Sequence, residues 1–453
     1  MKVGIVGYGR FGAVLHRLLK DDFEVVVYSK EMPTHVQAHI RLAKNVQELY
    51  ESDTVFYAVP IESFEKVIAS HRKYFEPRHT LIDVLSVKMH PEKIFRKYIK
   101  GTGAQAILTH PMFGPDSLKE GFTGLPIILD KCIAETRVYE SWKNFFSSKG
   151  LHVVEMSARE HDKIAASSQG LTHFVGRLME SYGLKSSSID SLGTKKLLEI
   201  KEQTCNDTWQ LFTNLQHYNP FTKKMRIKLG ERYDKLYNKL LPKAVDPKHV
   251  TFGIQGGIGS FNEKAIRYYI EQAGTENFKI KYLFTSENVL RALHAGEIDR
   301  GQFAIHNSLG GTVYESINAM AKYKFKIIDQ FSIKIQHALM IRKDVDLREI
   351  TTVMSHPQTF AQCKVTLAQK YPDLQQKAGT GELIDHAKVA KLLGENKLPK
   401  NVAVMGSSTL ADLFDLTVVE DNLQDAKENY TSFLHVVRPH SPSPAFKISK
   451  DEG

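Results

Sequence analysis

The chain is 453 residues long, 42% hydrophobic and 25% charged, with a formal net charge of +10. At roughly 150 residues per domain this length calls for two or three domains, and the globular composition contains no apolar run near the ~18 residues that a membrane span needs. The basic residues are scattered rather than gathered into a run, which argues against nucleic acid and for solvated faces with a few cations aimed at small carboxylate substrates.

Cys132, Cys205 and Cys363 lie too far apart for a CxxC metal clamp, so neither a metal site nor a disulfide framework is expected. Met1 to Val6 enter a glycine-broken strand pattern without the apolar core and cleavage site of a signal peptide. A cytoplasmic protein with no membrane partner is expected.

From residue 1 to about 155, short apolar strands (Val3 to Val6, Val25 to Tyr28, Val55 to Val59, Leu81 to Val84, Ala106 to Leu108) alternate with helical patterns. This rhythm predicts a parallel sheet with crossover helices. From about 157 to 241 the β-branched runs vanish, and Lys195 to Gln203 and Thr208 to Gln216 carry helix-spaced apolar residues. Leu241 to Lys248 is a proline-punctuated connector, and a second α/β pattern begins at Val250. It includes strands at Lys279 to Phe284, Lys326 to Ile328, Ser332 to Ile335 and Val402 to Met405. The final residues, with Pro439, Pro442 and Pro444, read as a solvated tail.

Gly7-x-Gly9-x-x-Gly12 follows the first strand and opens the helix pattern Ala13 to Leu19. In this setting the first glycine permits a tight turn, the second lets a pyrophosphate approach the backbone, and the third lets the helix pack closely. Arg10 and Phe11, inside the motif, join the candidate cofactor-binding residues. The second strand ends Tyr28-Ser29-Lys30, where an NAD-type site has an acidic residue ~20 positions after the glycines. A hydroxyl followed by a cation suits a 2′-phosphate, so NADP is expected ahead of NAD; the alternative is that Ser29 and Lys30 form an exposed turn.

Three further segments carry a family resemblance: Asp83-Val84-Leu85-Ser86-Val87-Lys88, Thr109-His110-Pro111-Met112-Phe113-Gly114-Pro115, and Glu160-His161-Asp162 running on to Gln169-Gly170-Leu171-Thr172-His173. Over residues 1 to about 240 the chain resembles the prephenate/arogenate dehydrogenases. The resemblance implies a Rossmann domain, a helical domain through which the chain forms a homodimer, and oxidative decarboxylation of a cyclohexadienol with hydride passing to a nicotinamide. It makes His110 the base that removes the ring hydroxyl proton, with Ser86 bonded to that histidine or to the substrate.

Gln169 and His173, four apart on a helix, share one face and can reach the substrate. No arginine occurs between Arg177 and Arg226, where prephenate-specific relatives usually carry a substrate-binding one. Asp207 is placed to pair with the amino group of arogenate, which is therefore preferred over prephenate. The competing reading is that Asp207 caps the helix containing Trp209.

A second resemblance, to prephenate dehydratase, spans about 250 to 438. It rests on Gly256 to Glu263, His306-Asn307-Ser308-Leu309-Gly310-Gly311, Ser355-His356-Pro357-Gln358 with Gln362, and Gln424 to Phe433. It implies a two-lobed α/β fold resembling periplasmic binding proteins. Thr431 matches the family's catalytic threonine, and Asn307, Ser355 and Gln362 match its polar pocket residues. Hydroxyls and amides suit a dehydration because they orient the substrate without a buried charge. Two positions depart from the pattern: Ser432 stands where arginine is usual, and His306 where glutamate is usual. Loss of that cation predicts altered, weakened or lost activity. The short stretch after Phe433 leaves no room for a regulatory domain, so none is expected.

The expected organisation is a Rossmann domain over 1–156, a helical substrate and dimerisation domain over 157–243, a linker over 244–249, a dehydratase-like domain over 250–438 and a tail over 439–453. The expected protein is a bifunctional enzyme drawing on prephenate or arogenate for both the tyrosine and phenylalanine branches. The alternatives are a dehydrogenase carrying a non-catalytic, ligand-sensing second half, and a generic Rossmann oxidoreductase.

Overall fold

The computed structural model describes residues 1–30, 40–114, 118, 121–378 and 386–439. The chain forms two compact units, Met1–Arg232 and Tyr233–Gly453.

Among the described residues the first unit is built on eight strands: β1 (Lys2–Val6), β2 (Glu24–Tyr28), β3 (Arg41–Leu42), β4 (Thr54–Tyr57), β5 (Thr80–Asp83), β6 (Gln105–Pro111), β7 (Pro126–Asp130) and β8 (His152–Glu155), in spatial order β3-β2-β1-β4-β5-β6-β7-β8. The pairings from β3 to β6 are parallel, and the sheet reverses between β6 and β7. Strand residues alternate between two cores on opposite sheet faces. Val3, Ile5, Phe56, Ile82 and Ile107 enter one, while Val6, Val55, Tyr57, Leu81 and Leu108 enter the other. Burial on both faces is why these strands read as continuous apolar runs.

Helices follow at Ala158–Ser167, Gln169–Tyr182, Leu192–Cys205, Trp209–Tyr218 and Thr222–Leu240. Ser157, Ser191 and Thr208 cap three of them by accepting a backbone N–H three residues on. Gly176 lets Gln169–Tyr182 approach Leu192–Cys205 closely, since a Cβ there would meet the Thr204 hydroxyl at 1.9 Å.

The described residues of the second unit form two sheets. One joins β9 (Val250–Ile254), β10 (Phe278–Tyr282), β11 (Arg300–Asn307), β12 (Gly311–Thr312), β13 (Lys326–Lys334) and β19 (Tyr430–Val437), with the main path β10-β9-β11-β19-β13. The other joins β14 (Ala338–Arg342), β15 (Thr352–Ser355), β16 (Gln375–Ala378), β17 (Val402–Gly406) and β18 (Leu416–Glu420) in the order β16-β15-β17-β14-β18. The chain leaves the first lobe after β13 and returns to it at β19. The two crossover segments run side by side, with Ile335 N–H donating to the Asn429 carbonyl (2.7 Å) and Leu423 N–H to that of His337 (2.9 Å).

Two expected strands, Lys326 to Ile328 and Ser332 to Ile335, prove to be one strand, β13, whose pairing with β19 slips between Ile327 and Asp329. The strand expected to reach Phe284 stops at Tyr282, and Phe284 takes a left-handed φ of +66°.

Candidate functional sites

The glycine turn has the geometry its chemistry requires. Gly7 has φ +91° and donates to the Tyr28 carbonyl (2.9 Å); a Cβ on it would lie 2.4 Å from the Ala58 carbonyl oxygen. A Cβ on Gly12 would lie 2.4 Å from the Gly7 oxygen, so the third glycine lets the helix sit on the turn. Gly9, by contrast, would place a Cβ within 4 Å of nothing among the described residues. It is the N-cap of helix Arg10–Leu19 and has no side-chain cap. The first-turn N–H groups are thus left for an anion, and the site fits the pyrophosphate of a nicotinamide dinucleotide.

Ser29 and Lys30 follow β2 directly beside this turn, and residues 31–39 lie outside the described residues. Phe11 is partly corrected: its ring packs into the core against Phe113, with centroids 6.2 Å apart, leaving only its backbone to face a cofactor. Arg10, at the start of the helix, sets its Nη1 3.5 Å from Asp207 Oδ1.

His110, on β6, is 3% exposed. Its Nδ1 lies 2.8 Å from His161 Nε2, and His161 Nδ1 lies 2.9 Å from Asp162 Oδ1. A carboxylate can only accept, so His161 Nδ1 carries the proton and its Nε2 accepts from His110 Nδ1–H. This order leaves the lone pair of His110 on Nε2, as a base requires. Burial pulls the His110 pKa well below the usual histidine range, and the positive potentials of His161, Lys88 and His173 add to the effect. The imidazole is therefore neutral at physiological pH.

Asp162 is fully buried and also accepts from the backbone N–H groups of Lys88 (2.7 Å) and Met89 (2.9 Å). Lys88 in turn bonds the buried Asp83 and the Thr109 carbonyl. The three separated sequence segments are thus one hydrogen-bonded body. Sequence reasoning did not give His161 and Asp162 their part in orienting His110; the signal was a histidine with an acidic neighbour.

Ser86 makes no bond to His110. Its Oγ is buried without a hydrogen-bond partner among the described residues, so only the other half of its expected role, a bond to substrate, is open to it. Gln169 Oε1, His173 Nδ1 and Arg177 Nε share this condition. Burial also lowers the pKa of His173, with Asp207 opposing and Arg177 reinforcing the shift. Asp207 does not cap the helix containing Trp209, because the cap is Thr208, whose hydroxyl accepts from Leu211 N–H at 3.2 Å. Instead the Asp207 carbonyl accepts from Arg177 Nη2, while its carboxylate faces Arg10.

In the second unit a side-chain network spans the crossovers. Asn307 Nδ2 donates to Thr431 Oγ1 (2.9 Å) and to Asn429 Oδ1 (2.8 Å). Asn429 Nδ2 donates to Gln362 Oε1 (2.9 Å), which lies 2.8 Å from His337 Nε2. Because Asn307 occupies a lone pair of Thr431, the threonine keeps its own O–H to give, which suits an acid for a departing hydroxyl. Burial lowers the His337 pKa to about 4, keeping it neutral. His337 carried no sequence signal beyond a polar residue at the head of an apolar strand.

Ser355 lies apart from this network, fully buried with its hydroxyl donated to the Met405 carbonyl at 2.6 Å. The two departures, His306 and Ser432, are direct cross-strand partners, and Ser432 bonds Ser332 across β13 (2.8 Å). The next pair along the same ladder is Asn307 with Thr431. Successive strand residues point to opposite faces, so the departures lie on the sheet face away from the Thr431 hydroxyl. The expected loss of a charged contact therefore does not fall on that hydroxyl.

Comparison with known proteins places family matches over both units. The family "Prephenate dehydrogenase, nucleotide-binding domain" matches residues 21–155, and "Prephenate dehydratase" matches 252–441. A third family, "TYRAAT1-like, C-terminal domain", matches 178–249. Among curated relatives, arogenate dehydrogenase 2 (chloroplastic) of Arabidopsis thaliana is 34% identical over 251 residues, covering 53% of this chain and 70% of the relative. Arogenate dehydrogenase 1 (chloroplastic) of the same plant is 36% identical, covering 49% of this chain and 36% of the relative. Arogenate dehydratase 3 (chloroplastic), also from Arabidopsis, is 22% identical, covering 60% of this chain and 67% of the relative. Among the described residues no helix is long and apolar enough to cross a membrane.

Proposed function

We propose, from the premise that this chain belongs to the prephenate/arogenate dehydrogenase family and carries a prephenate dehydratase region as well, that it feeds both the tyrosine and the phenylalanine branch of aromatic amino acid synthesis. The observation that carries the dehydrogenase reading is the order His110, His161, Asp162, which leaves a neutral base at His110 Nε2. In this reading the substrate's ring hydroxyl gives its proton to Nε2. A nicotinamide dinucleotide held at the turn of Gly7, Gly9 and Gly12 would supply the acceptor for the hydride leaving the carbon that bears this hydroxyl. The ring carboxylate leaves as carbon dioxide, its electron pair aromatises the ring, and His110 returns the proton to the phenolate oxygen.

The His161–Asp162 pair holds the tautomer and steadies the imidazolium formed midway. Ser86, Gln169 and His173 are substrate contacts in this reading, because each buries a polar atom that a ligand could satisfy. Arogenate is the preferred substrate, supported by the Asp207 carboxylate, which can hold an ammonium. NADP is the preferred cofactor, supported by Ser29 and Lys30 at the end of β2.

In the second unit Thr431 gives its proton to the hydroxyl, which departs as water; the substrate carboxylate departs as carbon dioxide, its electron pair aromatising the ring, and the threonine takes a proton back from solvent. The amides of Asn307 and Gln362 orient the substrate. A homodimer through the helical segment is also proposed, supported by exposed Leu178, Tyr182, Leu192 and Leu197 on its helices.

Incubation of the full chain with arogenate or prephenate, with and without NADP or NAD, tests these readings together. Tyrosine formed from arogenate with NADP, and aromatic product formed without any nicotinamide, are the expected results. Preference for NAD would overturn the cofactor assignment, and binding without turnover in the absence of nicotinamide would overturn the dehydratase.

A further inference from the structure

The helix Gln169–Tyr182 carries a polar stripe that continues past His173. Gln169, His173 and Arg177 are spaced i, i+4, i+8 and so share one face. Each ends in a buried polar atom with no hydrogen-bond partner among the described residues: Oε1, Nδ1 and Nε respectively. A buried polar atom left unpaired costs about 1–3 kcal/mol. Three of them in succession on one helix face describe a surface shaped for a polar ligand.

Arg177 is also held in place. Its Cζ lies 5.3 Å from the Trp209 ring centroid and 5.7 Å from that of Phe212, and Nη2 is tied to the Asp207 carbonyl. These contacts orient the guanidinium plane and hold its charge without neutralising it. The Asp207 carboxylate, one residue's reach away, is paired with Arg10 instead.

We propose that Arg177 is a substrate-binding residue of the first unit, its guanidinium taking the carboxylate of an α-amino acid side chain whose ammonium goes to Asp207. The proposal rests on the arogenate reading above and deepens it. Arg177 and Asp207 together form a reader for a zwitterion, with cation and anion locked in register by the bond from Arg177 Nη2 to the Asp207 backbone. The cation absent between Arg177 and Arg226 is supplied by Arg177 itself, one helical turn beyond His173.

The test is binding of L-tyrosine and of tyramine, which lacks the carboxylate, to the full chain saturated with NADP. Wild type is expected to favour L-tyrosine. Arg177→Gln should weaken L-tyrosine about 10- to 100-fold and tyramine little, as loss of a charge-assisted carboxylate contact implies. The KM for arogenate should rise with kcat changed less than about threefold, since a contact made equally before and during reaction is lost. Arg177→Lys, which keeps the charge without the fork, should recover part of the preference.

A folded Arg177→Gln with the wild-type tyrosine-to-tyramine ratio, or one weakening both ligands equally, overturns the proposal and leaves Arg177 as a staple for the Asp207 backbone. Should the glutamine variant fail to fold, an unaltered ratio in Arg177→Lys overturns it. A wild type that turns over no arogenate and binds neither ligand overturns the functional reading, and this proposal with it.

Discussion

Arg10 Nη1 and Asp207 Oδ1 stand 3.5 Å apart, so the residue that opens the phosphate-binding helix is also the ion-pair partner of the residue proposed to read the substrate's amino group. A dinucleotide phosphate at the helix N-terminus would compete for that guanidinium and release the carboxylate. The pair is half exposed and contributes under about 1 kcal/mol to stability. Arg10→Gln should therefore leave the melting temperature within a few degrees of wild type while raising the Kd for NADP about 5- to 20-fold. Fluorescence titration measures the second effect, and an unchanged Kd would confine Arg10 to Asp207.

The acid side of the dehydrogenase pH profile follows from His110. Its conjugate acid is the inactive form, and burial with neighbouring positive potential holds its pKa well below the usual histidine value. The rate constant kcat/KM should stay level as pH falls through about 6.5, the range where an exposed histidine would already titrate. It should drop only at lower pH. An acid limb centred at or above pH 6.5 contradicts the assignment.

The same direction of shift applies to His71 and His337, both near 4, and His435, near 3, all depressed first by burial. Unfolded histidines take up protons at about 6.5 whereas these folded ones do not, so stability is full above that pH and declines as pH falls below it. The urea midpoint should decrease steadily from pH 7 to pH 4.5.

Asp162→Asn keeps the shape of the His161 partner but adds a donor that can turn the histidine over. The lone pair then need not reach His110 Nε2. A fall in kcat on the order of 100-fold or more, with KM nearly constant, is expected. Stopped-flow and steady-state rates with arogenate, on protein whose folded fraction is fixed by circular dichroism, decide it; a fully folded variant with unchanged kcat would remove Asp162 from this role.

The three glycines of the turn should separate stability from binding. Gly9→Ala meets no described atom within 4 Å and should melt near wild type while binding NADP poorly, since its methyl occupies the pyrophosphate's approach. Gly7→Ala combines φ +91° with a Cβ 2.4 Å from the Ala58 oxygen and should lower stability by about 1–3 kcal/mol. Calorimetry on the two variants tests the contrast.

Much of this was legible in advance, for identifiable reasons. The strands of the first unit announce themselves because both of their faces are buried. Two of the glycines do so because a Cβ at Gly7 or Gly12 would strike a backbone oxygen, and Gly9 because it stands uncapped at the start of the helix. His110 was found through flanking segments that turn out to be bonded to one another through Asp83, Lys88 and Asp162. What stayed hidden depends on contacts distant in sequence. Arg177 looked like the edge of an arginine-free stretch, and only its position above Trp209 and below Asp207 gives it meaning. Asp207 resembled a cap because Thr208, the true cap, is its neighbour. Ser432 looked like damage to the second site until strand pairing put it opposite His306 on the other sheet face.

Gln362 accepts from Asn429 and meets His337, and both of these residues lie on the segments that carry the chain between lobes. Parting the lobes there means surrendering those two hydrogen bonds, about 1 kcal/mol each. The hinge of the second unit is in this sense wired to its pocket. The residues matched to the dehydratase pocket and the segments that join the lobes thus share their hydrogen bonds through one amide, that of Gln362.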